Sequence, residues 1–406
     1  MRTLIAFAIV ILAGFIGSAK LFKGLKRATP FLYIFYSGTF YILFGLLIGE
    51  NGLNLISFDI LKDLIPIINF SLGWVGFIFG FQIEKRYLKK IKFSWYFTTF
   101  STYLFSMIVI FTVSFISFFY IFENLNFNLK EILGISLVLS ILLSETSISF
   151  TVWSSKYFKK HVKELRFLTF ATSTDNFFPI LLTGFIFSTY KYSPDSKSII
   201  YNDLFLIIKL LILQIIIGII SGFIINLLVK KIENKLEVST ILFAFVFLLS
   251  GISMMLNLSP LFVLMLTGIT FTNLTKKQTY FLKILSSTEK PIYIIFLTFL
   301  AIKRSSFSLT LLIISILLLI SKFHSKIISL KFLKIFFKKD NFISPFLSYL
   351  LIPTGTIAPA IMLDIILGFP IDKSSIISGL LIYTILLSEI ISPMAIKLAR
   401  KRAEND

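Results

Sequence analysis

The chain has 406 residues, of which 56% are hydrophobic and 15% are charged, and its formal net charge is +20. A soluble domain has roughly 45–50% apolar and about 25% charged residues, so this composition, with a mean hydropathy of +0.91, excludes an ordinary soluble globule. The sequence has no cysteine, which excludes disulfides and thiol chemistry, and its two histidines, His161 and His324, argue against a histidine-ligated metal centre.

Apolar stretches follow one another along the whole chain, and each is long enough to cross a hydrocarbon core of about 30 Å. They predict an all-α polytopic membrane protein with about 13 transmembrane helices, a single transporter domain over 1–406 and no soluble regulatory domain. The run after Arg2 continues to Gly17 without a small-residue cleavage site, so it predicts a first span rather than a signal peptide. The predicted spans are about 1–17, 30–50, 60–82, 94–122, 130–153, 166–189, 202–229, 237–256, 259–274, 289–302, 308–330, 342–368 and 374–397.

Loops rich in lysine and arginine alternate with loops that are poor in them. The rich segments are 20–27, 85–92, 156–166, 230–235, 276–283, 331–339 and 397–402. Because such loops face the cytoplasm, we expect a multi-pass protein of the cell (inner) membrane with its N-terminus outside and its C-terminus in the cytoplasm. The basic residues are spread over several loops without a nucleic-acid-binding module, so they predict attraction to membrane lipid and no nucleic-acid partner.

A charge inside a span costs several kcal/mol and marks a transport pathway or a structural pair. The candidates are Glu145, Asp175, Lys322, Asp364 and Glu389, with His324 beside Lys322. Asp175 is also compatible with a structural hydrogen-bonded carboxylate, and Lys322 with a side chain that reaches back to the interface. Glu145 and Glu389 fit a structural role as well as a functional one, and Asp364, near the outer end of its span, is expected to reach water.

Two polar, helix-breaking segments lie at membrane depth, Ser144–Ser147 and Pro353–Pro359. Proline removes a backbone donor and clashes with the preceding turn, so the second segment should be unwound, although a simple kink is the alternative. Irregular backbone at this depth is tolerated only inside protein or against a wet cavity. Interrupted helices at comparable places in two halves of a chain indicate a transporter site built from inverted repeats.

Several segments, in order, resemble the monovalent cation:proton antiporter superfamily in its Kef- and Nap-type bacterial branch. The similar segments are Ser37–Gly49, Gly73–Glu84, Leu142–Ser147, Phe170–Asn176, Phe296–Ile302, Leu319–Lys322, Pro353–Gly355 and Ser392–Pro393. The resemblance implies two inverted repeats, about 30–230 and 236–400, with two crossed, broken helices. It also implies a homodimer and alternating access. No nucleotide-binding regulatory domain of the kind that many Kef-type proteins append is expected.

The chain departs from the family pattern at three places. Only one aspartate stands at the family's carboxylate pair, so Asp175 matches either position, with Thr174 or Asn176 as its partner. Pro353-Thr354-Gly355 replaces the usual Arg-Gly of the second unwound segment, and Glu145 is an additional acid in the first. These departures leave a different substrate or coupling open.

The resemblance and the intramembrane residues together predict a site where Na⁺, K⁺ or Li⁺ competes with H⁺ at Asp175. The predicted ion-binding residues are Asp175, Thr174, Asn176, Thr146, Ser147, Glu145 and Thr354, because hard cations favour oxygen ligands. Lys322 is predicted as the charge partner of Asp175. A lysine that released its own proton on cation binding would make exchange electrogenic. No cofactor is expected.

Three alternatives remain. The first is an organic-anion or bile-acid-type sodium- or proton-coupled carrier of related inverted-repeat fold. The second is an intramembrane enzyme, which the sequence disfavours because it shows neither a His-Glu-x-x-His motif nor paired intramembrane aspartates. The third is a sensor or scaffold that transports nothing. The sequence does not determine the cation, the stoichiometry or the oligomeric state.

Overall fold

The computed structural model describes residues 40–49, 52–53, 55, 63–121, 129–193, 198–201, 203–302, 308–337, 342–355, 357–369 and 374–404. The predicted first span, 1–17, and the start of the second lie outside the described residues. The rest of the fold follows from long apolar sequences that satisfy their backbone hydrogen bonds internally, as a helix must in lipid.

The described residues form helices joined by short connections. The helices are α1 Phe40–Ile48, α2 Ile65–Phe81, α3 Lys85–Leu88, α4 Phe93–Ile121, α5 Leu129–Ser144, α6 Ile148–Ser154, α7 Val162–Asp175, α8 Phe177–Thr189, α9 Leu204–Val229, α10 Lys235–Met255, α11 Pro260–Leu274, α12 Gln278–Ile302, α13 Leu309–Phe336, α14 Leu347–Leu350, α15 Ile357–Gly368 and α16 Ser374–Ala403. A 3-10 turn, Ser155–Tyr157, follows α6. The strands β1 Tyr190–Ser193 and β2 Ser198–Tyr201 pair as an antiparallel hairpin between α8 and α9, a small exception to the all-α prediction.

Six described segments are long and apolar enough to cross a membrane. They are Phe93–Tyr120, Leu129–Tyr157, Leu204–Val229, Leu236–Met255, Leu309–Phe336 and Ser375–Ala403. Four shorter apolar helices accompany them, namely Ile65–Phe81, Pro260–Leu274, Pro291–Ile302 and Ile357–Gly368. These segments confirm the prediction of a multi-pass helical membrane protein.

Both predicted breaks are confirmed as interruptions rather than kinks. The first separates α5 from α6 at residues 145–147, and Ser147 caps α6 by accepting a hydrogen bond from the Phe150 N–H at 3.2 Å. The second separates α14 from α15. Pro359 is the third residue of α15, where the N–H it lacks would have no partner within the helix.

One predicted span is part of a longer helix. The span predicted at 289–302 matches the apolar segment Pro291–Ile302, which is the second half of α12, and α12 begins at Gln278. The apolar stretch marks where lipid begins, whereas the helix extends past it toward the lysine-rich side.

The helices pack as two bundles. In the first, which we call the crossing bundle, α4 packs on α5, α7 and α13, and α13 packs on α14 and α16. In the second, the glycine-packed bundle, α11 packs on α2 and α9, α10 packs on α2, and α1 packs on α12. α15 joins the two bundles, since it contacts α5 and α16 of the first and α2 and α12 of the second.

Small residues set the closest helix contact in the glycine-packed bundle. Side chains added at Gly76 and Gly80 of α2 would run into the carbonyl oxygens of Leu261 and Met265 on α11. Close backbone approach through glycine is how helices associate where the solvent is as apolar as the side chains. The two helices therefore form a rigid pair beside the broken helices.

Candidate functional site: a buried charged cluster at the helix crossing

The two breaks meet in the interior and hydrogen-bond to each other. The Ser147 N–H donates to the Pro353 carbonyl at 2.8 Å, and the Gly355 N–H donates to Glu145 Oε1 at 2.6 Å. A Cβ added at Gly355 would lie 2.6 Å from Glu145 Oε2 and 3.0 Å from the Ser147 Cα. Only glycine therefore lets the two unwound segments approach this closely.

Asp175 lies at the end of α7, where Asn176 interrupts the helix before α8. Its side chain is 3% exposed, and its Oδ2 accepts hydrogen bonds from Thr146 Oγ1 at 2.8 Å and from Lys326 Nζ at 3.1 Å. Among the described residues, Asp175 Oδ1 has no hydrogen-bond partner, and neither has the side-chain amide of Asn176. One oxygen of the carboxylate is therefore hydrogen-bonded, and the other is buried with its lone pairs unused by the described residues.

Two lysines of α13, one helical turn apart, enter the cluster. Lys326 forms the ion pair with Asp175, and both side chains are buried. Lys322, predicted as the partner of Asp175, donates instead to the Glu145 carbonyl at 2.8 Å and to Thr354 Oγ1 at 3.0 Å. The assignment of the charge partner is therefore corrected from Lys322 to Lys326. Lys322 is fully buried, so it does not reach back to the interface.

The charged side chains are complementary to the unpaired backbone groups at the ends of the half-helices. A helix ends in unpaired carbonyls with partial negative charge and begins with unpaired N–H groups with partial positive charge. The Lys322 ammonium bonds to the Glu145 carbonyl just past α5, and the Glu145 carboxylate accepts from the Gly355 N–H just before α15. With Asp175 and Lys326, the four formal charges sum to zero, which limits the cost of burying them.

No protein-family model and no curated protein matches this sequence. The structure, however, is similar to that of the sodium proton antiporter MjNhaP1 from Methanocaldococcus jannaschii, with a TM-score of 0.68 and 17% sequence identity over 99% of each chain. This chain has the fold of that antiporter. The fold implied by the resemblance to the cation:proton antiporter superfamily is thereby confirmed.

The other predicted ion-binding residues differ in whether they contact the charged cluster. Thr146 and Thr354 each bond to a member of the charged cluster. The Ser147 hydroxyl caps α6, and the Thr174 hydroxyl donates to the Phe170 carbonyl of its own helix at 2.8 Å. Both hydroxyls are thus engaged within their own helices rather than with Asp175.

The remaining intramembrane acids lie elsewhere. Glu389 is buried in α16. Asp364 was expected to reach water, and this is wrong, because it is 1% exposed and its Oδ2 accepts a hydrogen bond from Ser259 Oγ at 2.5 Å. Ser259 caps α11, so this bond joins the second broken helix to the glycine-packed bundle.

Sequence reasoning missed Lys326 and Tyr103. The sequence could have indicated Lys326, because it lies four residues after Lys322 and therefore on the same face of the predicted helix. A carboxylate that faces Lys322 could also pair with Lys326. Tyr103 is buried, donates to the Ile141 carbonyl at 3.3 Å and lies within electrostatic reach of Asp175 and Glu145. Nothing in the local sequence of α4 distinguishes it from the neighbouring aromatic residues.

Proposed function

We propose that the protein is a secondary active transporter that exchanges a monovalent cation, Na⁺ or K⁺, for protons by alternating access, with Asp175 as the carrier. The observation that carries this proposal is the environment of Asp175, a buried carboxylate where the two broken helices meet. One of its oxygens is paired with Lys326, and the other has no hydrogen-bond partner among the described residues. The antiporter fold supports the same function.

The chemistry follows from competition for one carboxylate. A dehydrated alkali cation needs several oxygen ligands, and Asp175, the Thr146 and Thr354 hydroxyls, and carbonyls freed by the breaks supply them. The cation competes with the Lys326 ammonium for Asp175, so its binding favours loss of a proton from the cluster. We propose that Glu145 and Asn176 supply further oxygen ligands for the cation. Thr174 and Ser147 contribute less, because their hydroxyls already bond within their own helices.

Alternating access needs a part that moves and a part that stays. We propose that the crossing bundle carries the site past the glycine-packed bundle, and that the two bundles combine elements of two repeat halves, about 30–230 and 236–400. We also propose that the protein is a homodimer in the cell membrane. The lysine-rich loops and the C-terminus then face the cytoplasm.

The test is cation-dependent proton flux in inverted vesicles or proteoliposomes, with Na⁺, K⁺ and Li⁺ supplied in turn. Asp175→Asn should abolish the flux because a neutral amide neither binds the cation nor carries the proton. Asp364→Asn is the matched control, since it neutralises an equally buried aspartate outside the cluster and keeps an oxygen acceptor for Ser259.

Undiminished exchange by Asp175→Asn would refute the assignment of the carrier. Sodium- or proton-driven uptake of an organic anion by the unaltered protein, without cation/proton exchange, would replace the proposed function by that of an organic-anion carrier.

A further inference from the structure

A cleft with a net positive lining lies away from the charged cluster. This cleft, of about 420 Å³, opens between the end of α16 and the segment formed by α6 and its 3-10 turn. Its walls carry Trp153 and Tyr157 on one side and Lys397, Arg400 and Lys401 on the other. A net positive cleft repels a cation and attracts an anion.

The basic residues are gathered on one helix face. Lys397, Arg400, Lys401 and Glu404 follow the i, i+3, i+4, i+7 spacing, which places them in a single stripe. Three cations oppose one carboxylate and the partial negative charge, roughly half a unit, at the end of α16. The local charge is therefore about +1.5, which favours an anion.

The opposite wall is aromatic. The Trp153 and Tyr157 rings lie 5.6 Å apart in an edge-to-face arrangement, and Trp153 is half-buried. Such rings offer an apolar surface next to the cations. The cleft volume falls within the range of small-molecule sites, about 300–1,000 Å³, and the mixture of arginine, lysine and aromatic groups suits a phosphate joined to a less polar moiety.

We propose that this cleft binds a phosphate-bearing anion. Arg400 supplies a planar fork that can hold two phosphate oxygens, Lys397 and Lys401 supply point charges, and the aromatic wall contacts the group that carries the phosphate. Two sources share this chemistry, the headgroup of an anionic phospholipid and a soluble phosphate compound.

The bound anion would connect two parts of the crossing bundle. Trp153 lies six residues beyond Ser147, about 9 Å along α6 at 1.5 Å per residue. Ala399 packs in the same apolar cluster as Phe150 of α6. An anion held between Arg400 and Trp153 therefore ties the half-helix after the first break to the last helix.

The experiment uses Trp153 as its own reporter. The chain has three tryptophans, so Trp74→Phe and Trp95→Phe leave Trp153 as the only tryptophan, which is excited selectively at wavelengths that tyrosine does not absorb. Protein in phosphatidylcholine nanodiscs receives brominated phosphatidylglycerol or brominated phosphatidylcholine, and protein in detergent is titrated with pyrophosphate. The same ligands are also compared through the shift of the unfolding temperature of the chain with all three tryptophans, in case the tryptophan replacements prevent folding.

Arg400→Gln is compared with Arg402→Gln, an equal charge change on the same helix outside the cleft lining. Arg400→Gln should weaken binding about tenfold or more, as expected for loss of a charge-assisted pair, and Arg402→Gln should retain it. Preferential quenching by the anionic lipid identifies a headgroup site, and a saturable pyrophosphate response identifies a soluble ligand.

Two results overturn the proposal: binding of neither ligand, or equal losses in both variants, which would show a general surface-charge effect. Neither readout depends on cation/proton exchange, so failure of the proposed function leaves this test intact.

Discussion

Replacement of Lys326 by glutamine tests the central ion pair. The variant leaves the Asp175 carboxylate buried without its cation. At the observed separation of 3.1 Å, the Coulomb attraction is roughly 5 kcal/mol for an effective dielectric constant of about 20. Breaking a buried pair by removing one partner costs about 3–5 kcal/mol. We therefore expect Lys326→Gln to lower the free energy of unfolding by about 3–5 kcal/mol.

The double variant Asp175→Asn with Lys326→Gln isolates the charge effect. It leaves no unpaired charge, so it should be more stable than Lys326→Gln alone. Unfolding of the wild type, both single variants and the double variant in one detergent gives the coupling energy directly. Lys331→Gln is the control, because Lys331 is exposed on the same helix and its loss should change stability by less than about 0.5 kcal/mol.

Additive losses in this cycle would refute the reasoning, since they would mean that the two side chains do not stabilise each other. A Lys326→Gln protein as stable as Lys331→Gln would do the same. In an active protein, loss of the competing ammonium should also lower the apparent KM for the cation, which proton-flux measurements at varied cation concentration would show.

Two further predictions concern the crossing itself. Gly355→Ala places a methyl group against Glu145 and should destabilise the protein by about 1–3 kcal/mol, as overpacking does. If the variant unfolded at the same denaturant concentration as the wild type, the close contact between the two unwound segments would be contradicted. Exchange of one proton for one cation moves no net charge, so we expect no current on a solid-supported membrane from the wild type or from Lys322→Gln, whose amide keeps an N–H donor. A wild-type current that Lys322→Gln diminishes would return Lys322 to the role that the sequence suggested.

The sequence predicted most of the fold because its signals are local. Span length and the polar breaks at Ser144–Ser147 and Pro353–Pro359 each depend on a few consecutive residues. The start of α12 was missed because hydropathy reports the lipid-facing stretch, whereas a helix continues wherever its backbone hydrogen bonds are satisfied. The hairpin between α8 and α9 was missed although Pro194 and Asp195, which lie between the two strands, are a turn signal.

The site was predicted less completely because its contacts are distant in sequence. Asp175 was found from its own span, but its partner lies 151 residues away. Lys322 and Lys326 share one helix face, so only the position of α13 against α7 decides which of them reaches the carboxylate. Asp364 was placed near water by its position in the span, and it is buried because Ser259, 105 residues away, offers it a donor.

Charge balance at the crossing gives the proposed exchange its physical basis. Glu145, Asp175, Lys322 and Lys326 carry formal charges that sum to zero in a buried site. A monovalent cation added to this cluster leaves an uncompensated positive charge at membrane depth, which costs several kcal/mol. Loss of one proton from the cluster restores neutrality. In the proposed exchange, the buried site therefore stays neutral when one proton leaves for each cation that binds.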